Sequence, residues 1–300
     1  MKKKNILITG ANGLLGRYLV EVLSQKYKVF ALVRNKKKLH FKLNKNISVL
    51  EMNLGKINLK ILPSKIYAIY YLAQSNQYKQ FPKGVNDMIS INVYAPNILA
   101  KWAIKNKVKK FIYASSGGVY GGSKYPLKEF FRVHPDKNLG FYLNSKISAE
   151  ILLKNYLNKF MSTIIVRPFF VYGPGQKKDR LFPKLISNIK NNKKITIDGK
   201  NGIKLNPIYA TDAAKALANI LNVKNILTIN IAGDQTLTLR ELLFMIGHQL
   251  GKKPVINNNK YFKNGLVADN KIMRKKLIIP KVDLKTGINK MLNKFINDKN

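Results

Sequence analysis

Short apolar blocks recur along the first 230 residues, and most are followed by a longer stretch with apolar residues every three or four positions. Residues 5–9, 29–33, 47–52, 66–72, 111–115 and 163–167 are the blocks, and each reads as a buried strand. Between them, residues 13–26 place Leu14, Leu15, Leu19, Val22 and Leu23 on one helical face, and 87–105 and 142–159 also read as helices. Apolar strands alternating with helices predict a parallel sheet covered on both faces, a doubly wound α/β fold. In such sheets ligands gather at the carboxyl ends of the strands.

The rhythm changes after Pro168. Gly173-Pro174-Gly175 interrupts the alternation, and 183–192 reads as a helix outside the sheet. Residues 208–221 and 226–231 then return one more helix and strand, and beyond Gly233 only a helix at 239–250 stands out from less regular segments. Two units follow from this: a sheet domain over 1–172 and 203–232, and a smaller discontinuous C-terminal domain over 173–202 and 233–300 that caps the strand ends.

Composition narrows the class. Three hundred residues at 46% hydrophobic support a sizeable core, and no stretch approaches the roughly 18 apolar residues of a membrane span. The opening MKKKNILITG sets lysines before apolar residues, but its apolar part ends at Ile8 with no small-residue cleavage site, so a first strand is expected rather than a leader. The absence of cysteine suits a reducing cytoplasm. The net charge of +41 attracts phosphate non-specifically. Its lysines are scattered, as at 2–4, 36–38, 109–110 and 252–253, with no RNP-type aromatic signature or zinc finger, so no specific nucleic-acid partner is expected. His40, His134 and His248 lack ligand spacing, which argues against a metal site.

Two motifs carry chemistry. Thr9-Gly10-Ala11-Asn12-Gly13-Leu14-Leu15-Gly16 follows a strand and opens a helix, where glycines permit a tight turn and close backbone approach to a pyrophosphate at the helix N-terminus. Tyr142 and Lys146 are spaced to share one helix face. A nearby ammonium favours the phenolate and lowers a tyrosine pKa towards a range useful for proton transfer. Glu150, four residues further on, reads as a helix ion pair with Lys146, and Asp212 as an acid near a helix N-terminus.

Further segments stand in order around these motifs. YLAQS follows the fourth strand, Asn92-Val93 lies in the next helix, and YASSGGVYG closes the fifth strand. RPFFVYGPGQ follows the sixth, and GIKLNPIYATDAA comes later. Along nearly its whole length the chain resembles the NAD-dependent epimerase/dehydratase family of extended short-chain dehydrogenases/reductases, whose sheet domain is a Rossmann fold. The resemblance implies that Tyr142 is the catalytic acid/base. Lys146 would lower its pKa and hold the nicotinamide ribose, and Ser116 would hydrogen-bond the reacting oxygen, with Ser115 only finishing the strand. It implies cofactor contacts from Gly10, Asn12, Gly13, Leu14, Leu15, Gly16, Asn53, Leu54, Leu72, Ala73 and Gln74. Asn92 becomes a buried hydrogen-bonding residue, and Ser116, Gly117, Phe169, Phe170 and Lys204 mark the substrate side. It further implies a homodimer packed through the helices that include Tyr142.

The chain departs from the family pattern in five places. Where NAD-users have an acidic residue after the second strand, this chain has Arg34-Asn35 and three lysines, with no carboxylate nearby in sequence. A guanidinium suits a 2′-phosphate, which favours NADP over NAD. Asn53 stands where the family commonly has Asp. Gly117-Gly118 replaces the acidic pair of the dehydratases, so the acid for water elimination is missing. Phe170 replaces an asparagine that touches the substrate diphosphate, and Lys204 lies near a usual arginine. The expectation is a cytoplasmic NADP- or NAD-dependent epimerase or oxidoreductase acting on a sugar-like alcohol, phosphorylated or nucleotide-linked. The alternatives are an NADP-dependent carbonyl reductase of a non-nucleotide substrate, and a catalytically inert cofactor-sensing or RNA-binding relative.

Overall fold

The apolar run after Lys4 forms β1 (Asn5–Thr9) and the amphipathic stretch after it α1 (Leu14–Leu23), in a computed structural model that describes residues 3–133, 139–224, 227–261 and 264–297. β2 (Lys28–Val33), β3 (Ile47–Glu51) and β4 (Ala68–Tyr71) follow. The next helix starts two residues earlier than its sequence pattern and is interrupted. It runs through α2 (Val85–Ile89), a π turn over Ser90–Tyr94, and α3 (Ala95–Lys105). Pro96 has no N–H to return to the carbonyl of Asn92, so the turn widens there. The freed carbonyls find partners in the sheet: Tyr71 donates its hydroxyl to Ile91 O at 2.5 Å and Tyr113 donates to Asn92 O at 3.1 Å.

Then come β5 (Lys110–Ala114), α4 (Phe141–Leu157), β6 (Ser162–Pro168) and α5 (Leu181–Lys190). β7 (Ile195–Asp198) and β8 (Lys204–Leu205) precede α6 (Ala210–Asn219) and β9 (Thr228–Ile231); residue 226, where the last strand was expected to begin, lies outside the described residues. The chain ends with β10 (Leu237–Thr238), α7 (Leu239–Leu250), β11 (Ile256–Asn259), α8 (Lys271–Lys276) and α9 (Leu284–Asn297).

Seven strands make one sheet in the order β3-β2-β1-β4-β5-β6-β9, every neighbour parallel. Alternate residues of β1 feed two cores: Ile6 and Ile8 pack beneath α1 and α6, while Leu7 packs beneath α3 and α4. The order reverses between β1 and β4, which opens a crevice at their carboxyl ends.

A separate apolar cluster joins α5, α7 and α9 through Phe182, Leu185, Ile246, Leu284 and Ile288. Two ribbons accompany it, β7 with β11 parallel and β8 with β10 antiparallel. The sequence pattern leaves residues after 250 irregular, whereas the structure forms α9. Leu284, Ile288, Met291 and Leu292 are spaced for one helix face, but the lysines and asparagines between them hide the period. Asp212 also does more than sit near a helix start. Its carboxylate accepts the N–H groups of Lys281 and Val282 at 2.9 and 2.8 Å, tying the approach to α9 against α6. No helix among the described residues is long and apolar enough to cross a membrane.

Candidate active site

The crevice begins at Gly10, whose φ of +65° strains any other residue, and where a Cβ would lie 2.8 Å from Ala73 N. A Cβ on Gly16 would stand 2.2 Å from Gly10 O, so α1 reaches the turn only because position 16 has no side chain. Gly13 caps α1 without a side-chain hydrogen bond, and no acid stands in the first turn. The first-turn N–H groups and the positive end of the helix dipole are therefore free for an anion. This turn fits a dinucleotide pyrophosphate.

The neighbours of the turn meet segments that are distant in sequence. The Asn12 side chain donates to Lys38 O at 2.5 Å and accepts from His40 N at 3.1 Å. It fastens the basic loop after β2 to the glycine turn, which leaves its backbone rather than its side chain for a cofactor. A carboxylate does stand near Arg34: the pairing of Val33 with Glu51 brings that side chain to Lys36, whose N–H it accepts at 2.9 Å. Arg34 itself is exposed. Leu14 and Leu15 are half-buried, Leu54 is buried, and Asn53 is exposed with its carbonyl accepting Gly55 N at 3.0 Å. Past β4, Leu72, Ala73 and Gln74 follow the wall of the crevice, with Ala73 N donating to Thr9 Oγ1 at 3.3 Å.

α4 carries Tyr142 and Lys146 one turn apart. The Tyr142 hydroxyl donates to Gln74 Oε1 at 2.9 Å, and Lys146 Nζ donates to Ala114 O at 2.9 Å, 5.0 Å from the centre of the Tyr113 ring. Ser116 opens a 3₁₀ turn over Gly117–Tyr120, its Oγ accepting Gly118 N at 3.1 Å. The Ser115 hydroxyl is buried with no partner. Asn92 is fully buried and joins the two halves of the site, accepting from Ser75 N at 3.1 Å and donating to Ser145 Oγ at 2.9 Å.

Burial pushes the Tyr142 phenol up to about 12, opposed by the positive charge of Arg180 and assisted by Tyr78. Burial brings Lys146 down to about 7, with Glu150 opposing the fall. Arg180 is thus one cation whose charge eases ionisation of Tyr142. The lysine is directed at Ala114 O and is only partly charged at neutral pH. Glu150 also departs from expectation, since its carboxylate grips Arg167 of β6, accepting from Nε at 3.0 Å and Nη2 at 2.6 Å, with both residues buried. Arg167 in turn lies 4.5 Å from the centre of the Tyr120 ring.

The substrate-side residues divide. Gly117 is buried with the Phe169 ring directly against it. Phe169 therefore supports the turn after Ser116 and has no exposed surface of its own. Phe170 is half-buried at φ +43°, a left-handed conformation that an aromatic residue adopts only under constraint. Lys204 is exposed on β8. Arg17 is buried in α1 and donates to Pro174 O, so the glycine-rich segment after β6 is tied to the helix of the glycine turn. No local pattern marks Arg17, Tyr78 or Arg180, because each meets its partner across the fold. His134 lies outside the described residues. Among the described residues, no group of three or more His, Cys, Asp or Glu side chains is placed to hold a metal ion.

The sequence model of the family described as NAD dependent epimerase/dehydratase matches residues 6–232. Human dTDP-D-glucose 4,6-dehydratase is 28% identical over 235 residues, which make up 73% of this chain and 65% of that protein's length. Escherichia coli dTDP-4-dehydro-6-deoxyglucose reductase is 29% identical over 313 residues, covering 97% of each chain. The crystal structure of UDP-glucuronic acid 4-epimerase from Bacillus cereus, in complex with UDP-glucuronic acid and NAD, superposes with a TM-score of 0.86. It is 25% identical, and the match covers 98% of this chain and 99% of that one.

Proposed function

This chain belongs to the NAD-dependent epimerase/dehydratase family, and from that premise we propose that it is an NAD(P)-dependent epimerase or oxidoreductase acting on a secondary alcohol of a nucleotide-linked sugar. The observation that carries the reading is the gathering of Ser116, Tyr142 and Lys146 around the exit of β5, in the same crevice system as the glycine turn. The nucleotide sugars in the names of the relatives support the substrate class.

A bound nicotinamide supplies the hydride acceptor or donor. The backbone at Gly10, Gly13 and Gly16 holds its pyrophosphate, with Leu72, Ala73 and Gln74 along one wall. Tyr142 Oη takes the proton of the substrate hydroxyl when the carbon is oxidised and returns it on reduction. For this it exchanges its hydrogen bond to Gln74 Oε1 for one to the substrate hydroxyl. Ser116 Oγ hydrogen-bonds the reacting oxygen, and Lys146 holds the cofactor ribose. Gly117-Gly118 offers no acid for a leaving hydroxyl, which sets dehydration aside. Phe170 borders the substrate without a diphosphate contact, and Lys204 supplies a point charge to the phosphates. The cluster of α5, α7 and α9, over 173–202 and 233–300, serves as the substrate-binding unit.

Arg34, exposed just after β2 at the start of the loop that Asn12 ties to the glycine turn through Lys38 and His40, inclines the cofactor choice to NADP. The cysteine-free chain suits a reducing cytoplasm. The partner is a second copy of this chain, docked on the exposed apolar residues of α3 and α4. Native mass spectrometry of the purified full chain reads any retained dinucleotide: a tightly held cofactor supports epimerisation, and an empty site that binds free NADPH supports net redox. Tyr142→Phe is expected to abolish turnover of nucleotide sugars while cofactor affinity stays within about twofold. Turnover that survives the change rejects the mechanism.

A further inference from the structure

Two loops that leave the sheet far apart in sequence meet beside Tyr142. One follows β4 and carries Asn76, Tyr78 and Lys79; the other precedes α5 and carries Lys177, Asp179 and Arg180. Lys79 Nζ donates to the main-chain oxygen of Asp179 at 2.8 Å and to its carboxylate at 3.0 Å. Tyr78 donates its hydroxyl to the same carboxylate at 3.4 Å, and Lys177 Nζ donates to Asn76 Oδ1 at 3.0 Å. Between these ties the Arg180 guanidinium lies over the Tyr78 ring, 4.4 Å from its centre, and that ring stands 5.3 Å from the centre of the Tyr142 ring. The Arg180 backbone is held as well. Its N–H donates to Lys177 O, and its carbonyl accepts Lys184 N in the first turn of α5, both at 3.0 Å.

We propose that Arg180 is a positioning residue for Tyr142: carried in at the start of α5 and stacked on Tyr78, it keeps a fixed positive charge beside the phenol and sets how readily that phenol releases its proton. The inference rests on the reading of Tyr142 as the group that moves the proton.

Charged and titratable groups reach Tyr142 from α4, β5 and the two loops. On α4 itself, Lys146 is turned to Ala114 O and Glu150 is taken up by Arg167. On β5, Tyr113 is buried and its phenol is pushed well up by desolvation, so it stays neutral. From the loop after β4 come the Gln74 side-chain carbonyl, the Tyr78 hydroxyl and Lys79. From the loop before α5 comes Asp179, whose carboxylate Lys79 already compensates. Lys177 is held by the Asn76 amide, whereas Arg180 lies against the ring that touches Tyr142, and its charge opposes the effect of burial there. A family motif confined to α4 does not contain this charge. It arrives from the segment that leads into the substrate-side cluster, so the seating of α5 and the acidity of Tyr142 are coupled.

The test places 3,5-difluorotyrosine at position 142 of the full chain, which makes the phenol intrinsically more acidic and brings its titration into a range the fold tolerates. Absorbance then follows its ionisation with no substrate or cofactor present. In Arg180→Gln the midpoint is expected to rise by roughly half to one pH unit, and Arg180→Lys is expected to hold it closer to the parent. Lys177→Gln removes a charge from the same loop while leaving the Tyr78 stack, and should move the midpoint less than Arg180→Gln. An unmoved midpoint in Arg180→Gln overturns the proposal, and so does an equal rise in Arg180→Lys or in Lys177→Gln. Because the titration needs no turnover, its failure is separable from failure of the proposed reaction. Loss of nucleotide-sugar turnover in Tyr142→Phe with an unmoved Arg180→Gln midpoint keeps the enzyme and rejects the role of Arg180.

Discussion

Lys146 is wholly enclosed, and burial brings its pKa from that of an ordinary lysine down to about 7. In the unfolded chain the same ammonium holds its proton to a pH of roughly 10. Between those values the unfolded state binds more protons than the folded one, so this residue makes the fold more stable as pH rises through that window. Lys146→Met removes the contribution. The stability of the parent relative to this variant is therefore expected to grow from pH 7 to about pH 10 in urea unfolding; a flat difference counts against the enclosed charge. At the other end of the crevice, Arg34→Glu should weaken NADPH binding far more than NADH binding, since a guanidinium pairs with the 2′-phosphate and not with a diol. Equal losses in fluorescence titrations of the two cofactors would remove the NADP preference. Residue-scale legibility was uneven. The spacing of Tyr142 and Lys146 stands in the sequence, but the occupation of the Asn12 side chain by Lys38 and His40, and the arrival of Glu51 beside Lys36, depend on chain segments that meet only in the fold.

Between elements, the Glu150–Arg167 pair fastens α4 to β6 behind the catalytic face. Both groups are buried, so removing one partner strands the other charge in a poorly solvated place. Glu150→Ala is expected to cost about 3–5 kcal/mol of stability, read as a lower urea midpoint, with Glu150→Gln costing less because it keeps a hydrogen bond. A loss within the range of a surface substitution would show the pair to be solvated. Period and alternation place nearly every sheet element within a few residues. They miss the π turn, although Pro96 is its local signal, and they miss α9, whose apolar face is diluted by lysine and asparagine. The β8–β10 ribbon escapes for a different reason. β8 and β10 are two residues long, too short to show any period.

Across the whole molecule, Tyr94 and Ile98 on the helical rod, with Ile151, Leu152 and Tyr156 on α4, stay exposed between 40% and 62%, an apolar face on neighbouring helices. Ile151→Asp is expected to convert the proposed dimer to monomer in sedimentation, and that dimer should tighten as ionic strength rises, because two copies at +41 repel each other through a field that salt screens. A parent chain that sediments as a monomer at every salt concentration rejects this face as the interface.

By itself the sequence determined the doubly wound sheet, the glycine turn and the Tyr142–Lys146 spacing. These are local or periodic features, written within one strand, one turn or one helix. Only the tertiary structure decided what surrounds them: that Glu150 belongs to Arg167, that Phe169 lies under Gly117, and that Arg180 reaches Tyr142 through Tyr78. A charge acts through space over a few ångströms, and in this chain those ångströms join residues on separate loops. No pattern along the backbone encodes that distance.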